Sequence, residues 1–352
     1  MIKVDNSAEK RVFCNSEKKD VLDLKEKVIK KIEEIETTTK NYNDLVVFET
    51  EKYIDNISVF KFKKLIDKQI TNLLKSKLTD TFKDELRVLK NDLYLLLIAD
   101  IDTIKNYLEN KVSSTSLLIH QGDKKLKSDD FKKYQKKFED LYEKNLSNVK
   151  APFKKPFFNL FEDINVCPYC NRNFINPIYK ENSVGTDNKN QSPDIEHFFP
   201  KSIYPFLSLS ISNLLPSCAF CNKIKSDVDT FQNNCLSPYE IKNSDFRFDF
   251  TLNRNQVKEV KLISKNKDCK NSEILHLESL YNQVHSKYIN DIFDDVLKYP
   301  RTYKDSLKRE FKLTESDYKE LFRNYHNEKD FNKQPLSKMT KDLYNQINSL
   351  TK

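Results

Sequence analysis

Apolar residues recur at three- and four-residue spacing through the first part of the chain, and this spacing places side chains on one face of an α-helix. The first stripe comprises Val21, Leu24, Val28, Ile32 and Ile35. The second comprises Phe60, Leu65, Ile70, Leu73 and Leu74. The third, with Thr79 or Asp80 as its N-terminal cap, comprises Leu86, Leu89, Leu93, Leu97 and Ile101. The pattern predicts antiparallel helices from about Asp20 to Asn148 that pack on their apolar faces and expose their lysines.

The pattern changes between Ala151 and Pro156, where two prolines interrupt the helical spacing. Further on, FRFDF at 246–250 and VKEVKLI at 257–263 alternate apolar and charged residues, as half-buried strands do. We expect these strands to form a hairpin that turns at 253–255, and helical spacing returns from about Ser272 to the end. The predicted fold class is therefore mainly α with a small α+β module. We divide the chain into the ranges 1–150, 151–240 and 241–352.

Two glycines in 352 residues exclude two common nucleotide-binding loops. The phosphate-binding loop of P-loop ATPases and the G-x-G-x-x-G loop of Rossmann enzymes both need glycines where the backbone approaches phosphate. Any dependence on ATP would therefore come from a partner. The formal net charge of +8 suits a phosphate-rich partner such as nucleic acid. Most of this charge is lysine, however, and a compositional bias would produce it too.

The cysteines indicate a metal rather than disulfides. The N-terminus has no apolar segment of signal-peptide length, and the apolar run around 93–99 is too short to span a bilayer, so we expect a cytoplasmic protein without membrane contact. Thiols stay reduced in that compartment. Cys167-Pro-Tyr-Cys170 and Cys218-Ala-Phe-Cys221 share one spacing, and two such knuckles complete the tetrahedral Cys₄ shell of a structural zinc. The isolated cysteines, which we interpret as ordinary core or surface residues, are Cys14, Cys235 and Cys269.

A zinc ion with four thiolate ligands has no position left for water, so it cannot be the catalytic metal. It would clamp two distant segments and stabilise a short module between them. The side chains that could act as acids, bases or metal ligands lie between the knuckles or directly after the second one. They are Asp194, Glu196, His197, Asn213 and Asn222.

These side chains suit hydrolysis of a phosphodiester, which needs a base to take a proton from water and a cation to neutralise charge on the phosphate. His197 is the natural base because a neutral imidazole is available at cellular pH. Glu196 offers a carboxylate oxygen and Asn222 an amide oxygen, a ligand pair suited to Mg²⁺ or Mn²⁺. Strand alternation would point Glu196 and His197 to opposite faces, so a shared site requires the strand to end or bulge there.

The order of these residues resembles the zinc-bearing HNH endonucleases, also called ββα-metal or His-Me finger nucleases. That family reads C-x-x-C, then D-H-I-x-P, then N-L-x-x-L-C-x-x-C-N-x-x-K, and each landmark occurs in order between about 165 and 227. The resemblance implies a zinc-clamped ββα nuclease core within 151–240. It also implies a catalytic divalent metal at Glu196 and Asn222, and Asn213 as structural support for the base.

Two positions depart from the commonest family pattern. Glu196 stands where aspartate is usual, and Asn222 stands where the last histidine of the family name would be; both keep an oxygen ligand. Asp194 lies two residues before Glu196 on the same strand face, so it could share or take over ligation of the metal. The lysines that flank the motif and could touch phosphates are Lys201, Lys223 and Lys225.

Weaker similarities extend to HNH nuclease components of bacterial anti-phage defence systems such as Septu. They lie in FFPKSIYPFLSLSISNLLPSC, LESLYNQVHSKYINDI and QPLSKMTKDL. This resemblance implies an endonuclease that cuts nucleic acid, with DNA as the expected substrate, beside an ATPase or other defence-system partner. The helical ranges 1–150 and 241–352 would then position substrate or partner. The remaining histidines, interpreted as packing or surface residues, are His120, His276, His285 and His326.

Two other classes of protein would also contain the cysteine knuckles. One is a zinc-ribbon module that binds nucleic acid without chemistry, and the other is a regulatory subunit with a dormant nuclease fold. The adjacent pair Glu196 and His197 favours the nuclease over the ribbon, because a passive ribbon has no use for an acid–base pair between its knuckles.

Overall fold

The computed structural model describes residues 59–110, 116–120, 127–178, 192–254, 256–299, 301–314, 328 and 331–350. This part of the chain is mostly helical, with two small antiparallel two-stranded sheets, so the predicted fold class is confirmed. The helices are α1 (Val59–Leu74), α2 (Asp80–Ile98), α3 (Ile101–Asn110), α4 (Asp129–Tyr142), α5 (Lys154–Asn159), α6 (Ala219–Lys225), α7 (Asn271–Ile274), α8 (Leu277–Lys298), α9 (Arg301–Glu310) and α10 (Ser337–Leu350). The strands are β1 (Asp194–His197), β2 (Leu214–Ser217), β3 (Phe246–Asn253) and β4 (Gln256–Ser264). The sequence features outside the described residues are the first apolar stripe, Cys14 and His326.

The predicted second stripe lies on α1, which packs along α2. Ile70 and Leu73 are buried, whereas Leu65 and Leu74 are half-buried at the edge of the core. Thr79 is the N-cap residue of α2, as predicted, but its hydroxyl does not cap the helix. It donates a hydrogen bond of 2.8 Å to Oδ2 of Asp130 in the first turn of α4. The start of α2 is thereby tied to the start of α4.

The prediction of one helix from Asp80 through Ile101 is wrong, because α2 ends at Ile98. Ala99 has extended backbone, and the carboxylate of Asp100 accepts a hydrogen bond of 2.8 Å from the backbone N–H of Thr103. A carboxylate in this position satisfies a free N–H at a helix start, which favours a new helix there. Ala99 and Ile101 are both buried, so the apolar stripe continues through the break.

A small ββα unit lies in the middle of the chain. The strands β1 and β2 pair antiparallel, with Ile195 opposite Pro216 and His197 opposite Leu214. The helix α6 follows β2 after the single residue Cys218. The chain between the strands folds into two short 3₁₀ turns, Pro205–Leu207 and Ile211–Asn213. These elements bring the segment around His197 next to the start of α6.

The predicted hairpin is confirmed, with β3 and β4 paired antiparallel and Phe248 opposite Leu262. Helix side chains bind the backbone along both outer edges of this hairpin. On β4, the N–H groups of Val260 and Leu262 donate to side chains of α8 at 2.7 and 2.8 Å. On β3, the N–H of Phe248 donates to Asp342 of α10 at 3.0 Å, and the Phe248 carbonyl accepts from Gln346.

One continuous apolar core connects the three ranges proposed from the sequence. It contains Ile66 from the first range, Phe199 from the second and Met339 from the third, each of which is fully buried. The ranges therefore pack against one another within the described residues. No described helix combines the length and the hydropathy needed to cross a bilayer.

Asn171, directly after the first cysteine knuckle, ties that knuckle to the start of α10. It is fully buried and has a left-handed φ of 50°. Its Nδ2 donates to the Phe331 carbonyl at 2.8 Å, and its Oδ1 accepts from the Lys338 N–H at 3.1 Å. Its own carbonyl accepts from the N–H of Leu336 at 2.5 Å. The C-terminal helix is thus part of the support of the knuckle.

Asn171→Ala should lower the free energy of unfolding by about 2–4 kcal/mol, because it leaves buried polar groups unpaired and places alanine at a positive φ. Urea denaturation followed by circular dichroism measures this loss. The matched control is Asn176→Ala, since Asn176 is exposed in the same segment and bonds to Asn165. Equal losses for the two variants would contradict the role assigned to Asn171.

Candidate active site

The four knuckle cysteines form a buried cluster. Their sulfur atoms lie within 4.8 Å of one another, and Sγ of Cys170 is 3.9 Å from Sγ of Cys218. Zinc–sulfur bonds of about 2.3 Å in a tetrahedron place neighbouring sulfurs about 3.8 Å apart. The donor atoms and their spacing are therefore consistent with a structural zinc, as the doubled C-x-x-C predicts. Cys167 and Cys221 complete the set.

The ionisation of these thiols also favours a cation. Burial raises the pKa of Cys167, whereas a hydrogen bond with Cys167 lowers the pKa of Cys170. Without a cation, four buried thiols at this distance do not all ionise, because each thiolate makes its neighbours harder to ionise. A bound zinc ion would let all four ionise together.

Helix α8 supports the first knuckle from outside the motif. The Tyr281 hydroxyl donates to the Cys170 carbonyl at 2.5 Å, and Nε of Arg172 donates to Nε2 of His285 at 2.7 Å. Burial and the charge of Arg172 lower the pKa of His285, so its neutral ring accepts this bond. His285 therefore serves packing and hydrogen bonding near the knuckle, a contact that the sequence alone did not predict.

His197 is the last residue of β1 and is only 7% exposed. Its Nε2 lies 3.0 Å from the Ser208 carbonyl oxygen. A carbonyl only accepts, so Nε2 carries the proton and Nδ1 of the neutral ring keeps a lone pair. Burial, and then the charge of Lys201, lower the pKa of His197 to about 3. The ring is thus neutral at cellular pH.

Asn213 fixes the loop between the two strands of the ββα unit. Its Nδ2 donates to the carbonyls of Phe199 and Leu207 at 3.1 and 3.0 Å, and its Oδ1 accepts from the Phe199 N–H at 2.6 Å. The Asn213 carbonyl also accepts from the N–H of Phe198, the residue after His197. These contacts hold the chain directly behind His197, although the support that Asn213 gives to a base stays a prediction.

Glu196 is buried, 2% exposed, with both carboxylate oxygens engaged. Its Oε1 lies 2.7 Å from Nζ of Lys225, and its Oε2 accepts from the Tyr169 hydroxyl at 2.7 Å. Nζ of Lys225 also donates to the His197 carbonyl at 2.8 Å. Lys225 is itself 1% exposed, so it faces inward and does not present its charge to phosphates at the surface.

Asp194, the first residue of β1, and Asn222 of α6 form a second polar pair. Nδ2 of Asn222 donates to Oδ2 of Asp194 at 3.0 Å. The bond engages the amide nitrogen of Asn222 and one carboxylate oxygen of Asp194. Both residues are more exposed than Glu196, since their side chains are half-buried.

The polar site residues predicted from the motif line one cavity of about 480 Å³, with the exception of Asn213. Because β1 ends at His197, both Glu196 and His197 line it despite strand alternation. Lys201 also lines the cavity, whereas Lys223 is exposed outside it. The motif residues that line it are Asp194, Glu196, His197 and Asn222.

Part of the cavity comes from helices before the motif, and the sequence pattern did not predict it. Glu139 and Tyr142 of α4 line it, together with Ser147. The ring of Tyr142 packs edge-on against His197 with centroids 4.6 Å apart. Tyr142 ends an apolar stripe along α4, which signals a buried face. The stripe does not reveal which element that face covers.

The fold and site together define a ββα unit with two cysteine knuckles, set among helices. Compared with curated proteins, the chain is similar to "Septu protein PtuB" of Bacillus thuringiensis, with 27% identity over 155 residues that cover 42% of this chain and 52% of that protein. The chain therefore spans about half the length of this curated relative. The predicted similarity to Septu proteins is confirmed at this distant level. No family model matches the chain, and no solved structure matches it.

Purified protein should contain about one zinc ion per chain, because the four thiols form a single closed ligand set. Elemental analysis by mass spectrometry measures the content. Cys218→Ser should lose the zinc and aggregate, since binding energy of a structural zinc is folding energy. Cys235→Ser is the matched control and should keep it, because Cys235 is buried but outside the cluster. Zinc-free, fully folded parent protein would contradict the site.

Proposed function

We propose that this protein is a metal-dependent endonuclease that hydrolyses nucleic-acid phosphodiester bonds in anti-phage defence, with DNA as the expected substrate. One observation carries the proposal: neutral His197, whose Nδ1 keeps its lone pair, lines the same cavity as Asp194 and Asn222. The distant similarity to a Septu protein and the HNH-like order of the motif support it.

His197 would act as the general base. Its Nδ1 takes a proton from a water molecule, and the water oxygen bonds to phosphorus as the bond from phosphorus to the leaving oxygen breaks. The Ser208 carbonyl holds the Nε2–H, so the ring keeps the tautomer and the orientation that this step requires. The proton that the leaving oxygen needs comes from solvent.

A divalent cation, Mg²⁺ or Mn²⁺, would neutralise charge on the phosphate and on the leaving oxygen. The motif resemblance assigns its ligands to Glu196 and Asn222, with Asp194 as a further candidate. The contacts favour Asp194 and Asn222, because these two half-buried side chains bond to each other and both line the cavity. Glu196 already binds Lys225 and Tyr169, so we propose that it positions β1 and α6 for the metal site.

His197→Ala should abolish cleavage while oligonucleotide binding persists, because the substitution removes the base and leaves the cysteine cluster and the other polar groups in place. General-base assistance contributes typically about 10²- to 10⁴-fold, so the rate should fall by that factor. Gel-based cleavage of labelled DNA and RNA, single- and double-stranded, measures it. His276→Asn is the control, since His276 lies outside the cavity and its φ of 48° suits asparagine. Parent-level cleavage by His197→Ala would remove the nuclease proposal.

Asp194→Ala and Glu196→Gln should separate a metal ligand from a positioning residue. We expect Asp194→Ala to raise the Mg²⁺ concentration for half-maximal cleavage by about tenfold or more, with partial rescue by Mn²⁺, which binds oxygen ligands more tightly. Glu196→Gln should lower the melting temperature, because it leaves Lys225 buried without a counter-charge. It should not respond to added metal. Metal rescue of Glu196→Gln but not of Asp194→Ala would return the ligand role to Glu196.

The ranges flanking the ββα unit would position substrate or partner. We propose 151–240 as the nuclease module, 1–150 as the partner- or substrate-positioning region, and 241–352 as its C-terminal support, with an ATPase or other defence-system protein as partner. The alternative is a zinc-knuckle protein that binds nucleic acid without cutting it. Cleavage that depends on Mg²⁺ or Mn²⁺ and stops with EDTA favours the nuclease.

A further inference from the structure

Lys201 differs from the other lysines of the motif in its surroundings. It lines the cavity beside His197. Its Nζ lies 4.5 Å from the centre of the Tyr142 ring. Within the ranges that the structure describes, its ammonium has no hydrogen-bonded acceptor and no ion pair, whereas Lys225 is fully paired with Glu196 and a carbonyl. Lys201 therefore lines the cavity without a direct ion-pair partner in the described part of the chain.

Tyr142 contacts both the base and this ammonium. Its ring edge packs on His197 with centroids 4.6 Å apart, and the ring also lies under Nζ of Lys201. Its hydroxyl donates to the Ile195 carbonyl at 3.1 Å. A cation held over an aromatic ring keeps hydrogen-bond donors free for another partner. One side chain of α4 thus sets the relative position of two groups in the cavity.

The electrostatic surroundings of Lys201 include two glutamates. Glu139 and Glu143 attract it electrostatically from α4 and the turn that follows. Neither makes an ion pair with it in the described residues. Partial burial removes water from the ammonium, so an anion that supplies hydrogen bonds there gains more than it would at the surface.

We propose that Lys201 binds a non-bridging oxygen of the phosphate that is cleaved, and that Tyr142 is a positioning residue that holds Lys201 and His197 toward the same phosphate. The inference rests on the proposed function and deepens it. Charge on the non-bridging oxygens grows during attack, so Lys201 would stabilise the transition state as well as bound substrate. A helix outside the motif then contributes to the reaction geometry.

Single-turnover cleavage at saturating oligonucleotide tests Lys201 directly. Lys201→Met should slow cleavage by about 10- to 100-fold, since one fixed donor to developing charge is lost. Lys201→Arg, which keeps charge and donors, should remain within about fivefold of the parent. The charge-matched control is Lys223→Met, because Lys223 is exposed outside the cavity; it should remain within about twofold. Equal rates for Lys201→Met and Lys223→Met would overturn the inference.

Tyr142 is tested by the split between rate and affinity. Tyr142→Phe keeps the ring under Lys201, so the rate should remain within about threefold of the parent. Tyr142→Leu should lower kcat by about tenfold or more with KM nearly unchanged, because removing the ring misplaces two reacting groups. If the Leu variant does not fold, the Lys201 variants still decide the proposal. Equal losses in the Phe and Leu variants would overturn the role of the ring.

Binding in the His197→Ala background separates this inference from the nuclease proposal. Fluorescence anisotropy of a labelled oligonucleotide at low salt needs no cleavage. Adding Lys201→Met should raise Kd by about threefold or more, and adding Lys223→Met should raise it less, since Lys201 is half-buried in the cavity and Lys223 is exposed outside it. If His197→Ala cuts as well as the parent, the nuclease mechanism fails. The comparison of Kd values alone then tests whether Lys201 contacts phosphate. Equal Kd values for the two lysine variants would then overturn its phosphate contact.

Discussion

The buried ion pair between Glu196 and Lys225 is the interaction on which the geometry of the site depends. It joins the end of β1 to the end of α6, and Lys225 also holds the His197 carbonyl. Tyr169, inside the first cysteine knuckle, binds the other oxygen of the same carboxylate. His197, the end of α6 and the first cysteine knuckle therefore meet at one carboxylate. Removing one partner of such a pair is costly, because it leaves an uncompensated charge in the interior.

The local patterns in the sequence were sufficient for most of this architecture. Repeated C-x-x-C spacing predicted the cysteine cluster, and alternation predicted the hairpin of β3 and β4. The helix break at Ala99 was not predictable from hydropathy, since apolar residues continue on both sides and only the carboxylate of Asp100 favours a new start. The burial of Lys225 was also not predictable from the sequence pattern, because it depends on an ion pair with Glu196, which is far from it in sequence. Tyr142 could be assigned to a buried face but not to His197, since that contact is purely tertiary.

The ββα unit is supported from both sides of the chain. Asn171 and Tyr281 tie the first knuckle to C-terminal helices, and Tyr142 brings an N-terminal helix onto His197. Each contact fixes a group whose position a short motif of this size cannot fix alone, since the unit contains only two four-residue strands and one seven-residue helix. Metal chemistry in small motifs needs ligands held within fractions of an ångström, and neighbouring elements provide that restraint.

The hairpin of β3 and β4 has a consequence for how another protein can attach. Unpaired strand edges are common docking sites, because an extended peptide can add its own backbone as a further strand. Here Asn282 and Glu278 of α8 occupy backbone groups along one edge, and Asp342 and Gln346 of α10 occupy groups along the other. Both edges are closed at these positions by side chains of the same molecule. A protein that binds the hairpin at these positions must therefore contact its side chains, since no backbone groups are available there for strand addition.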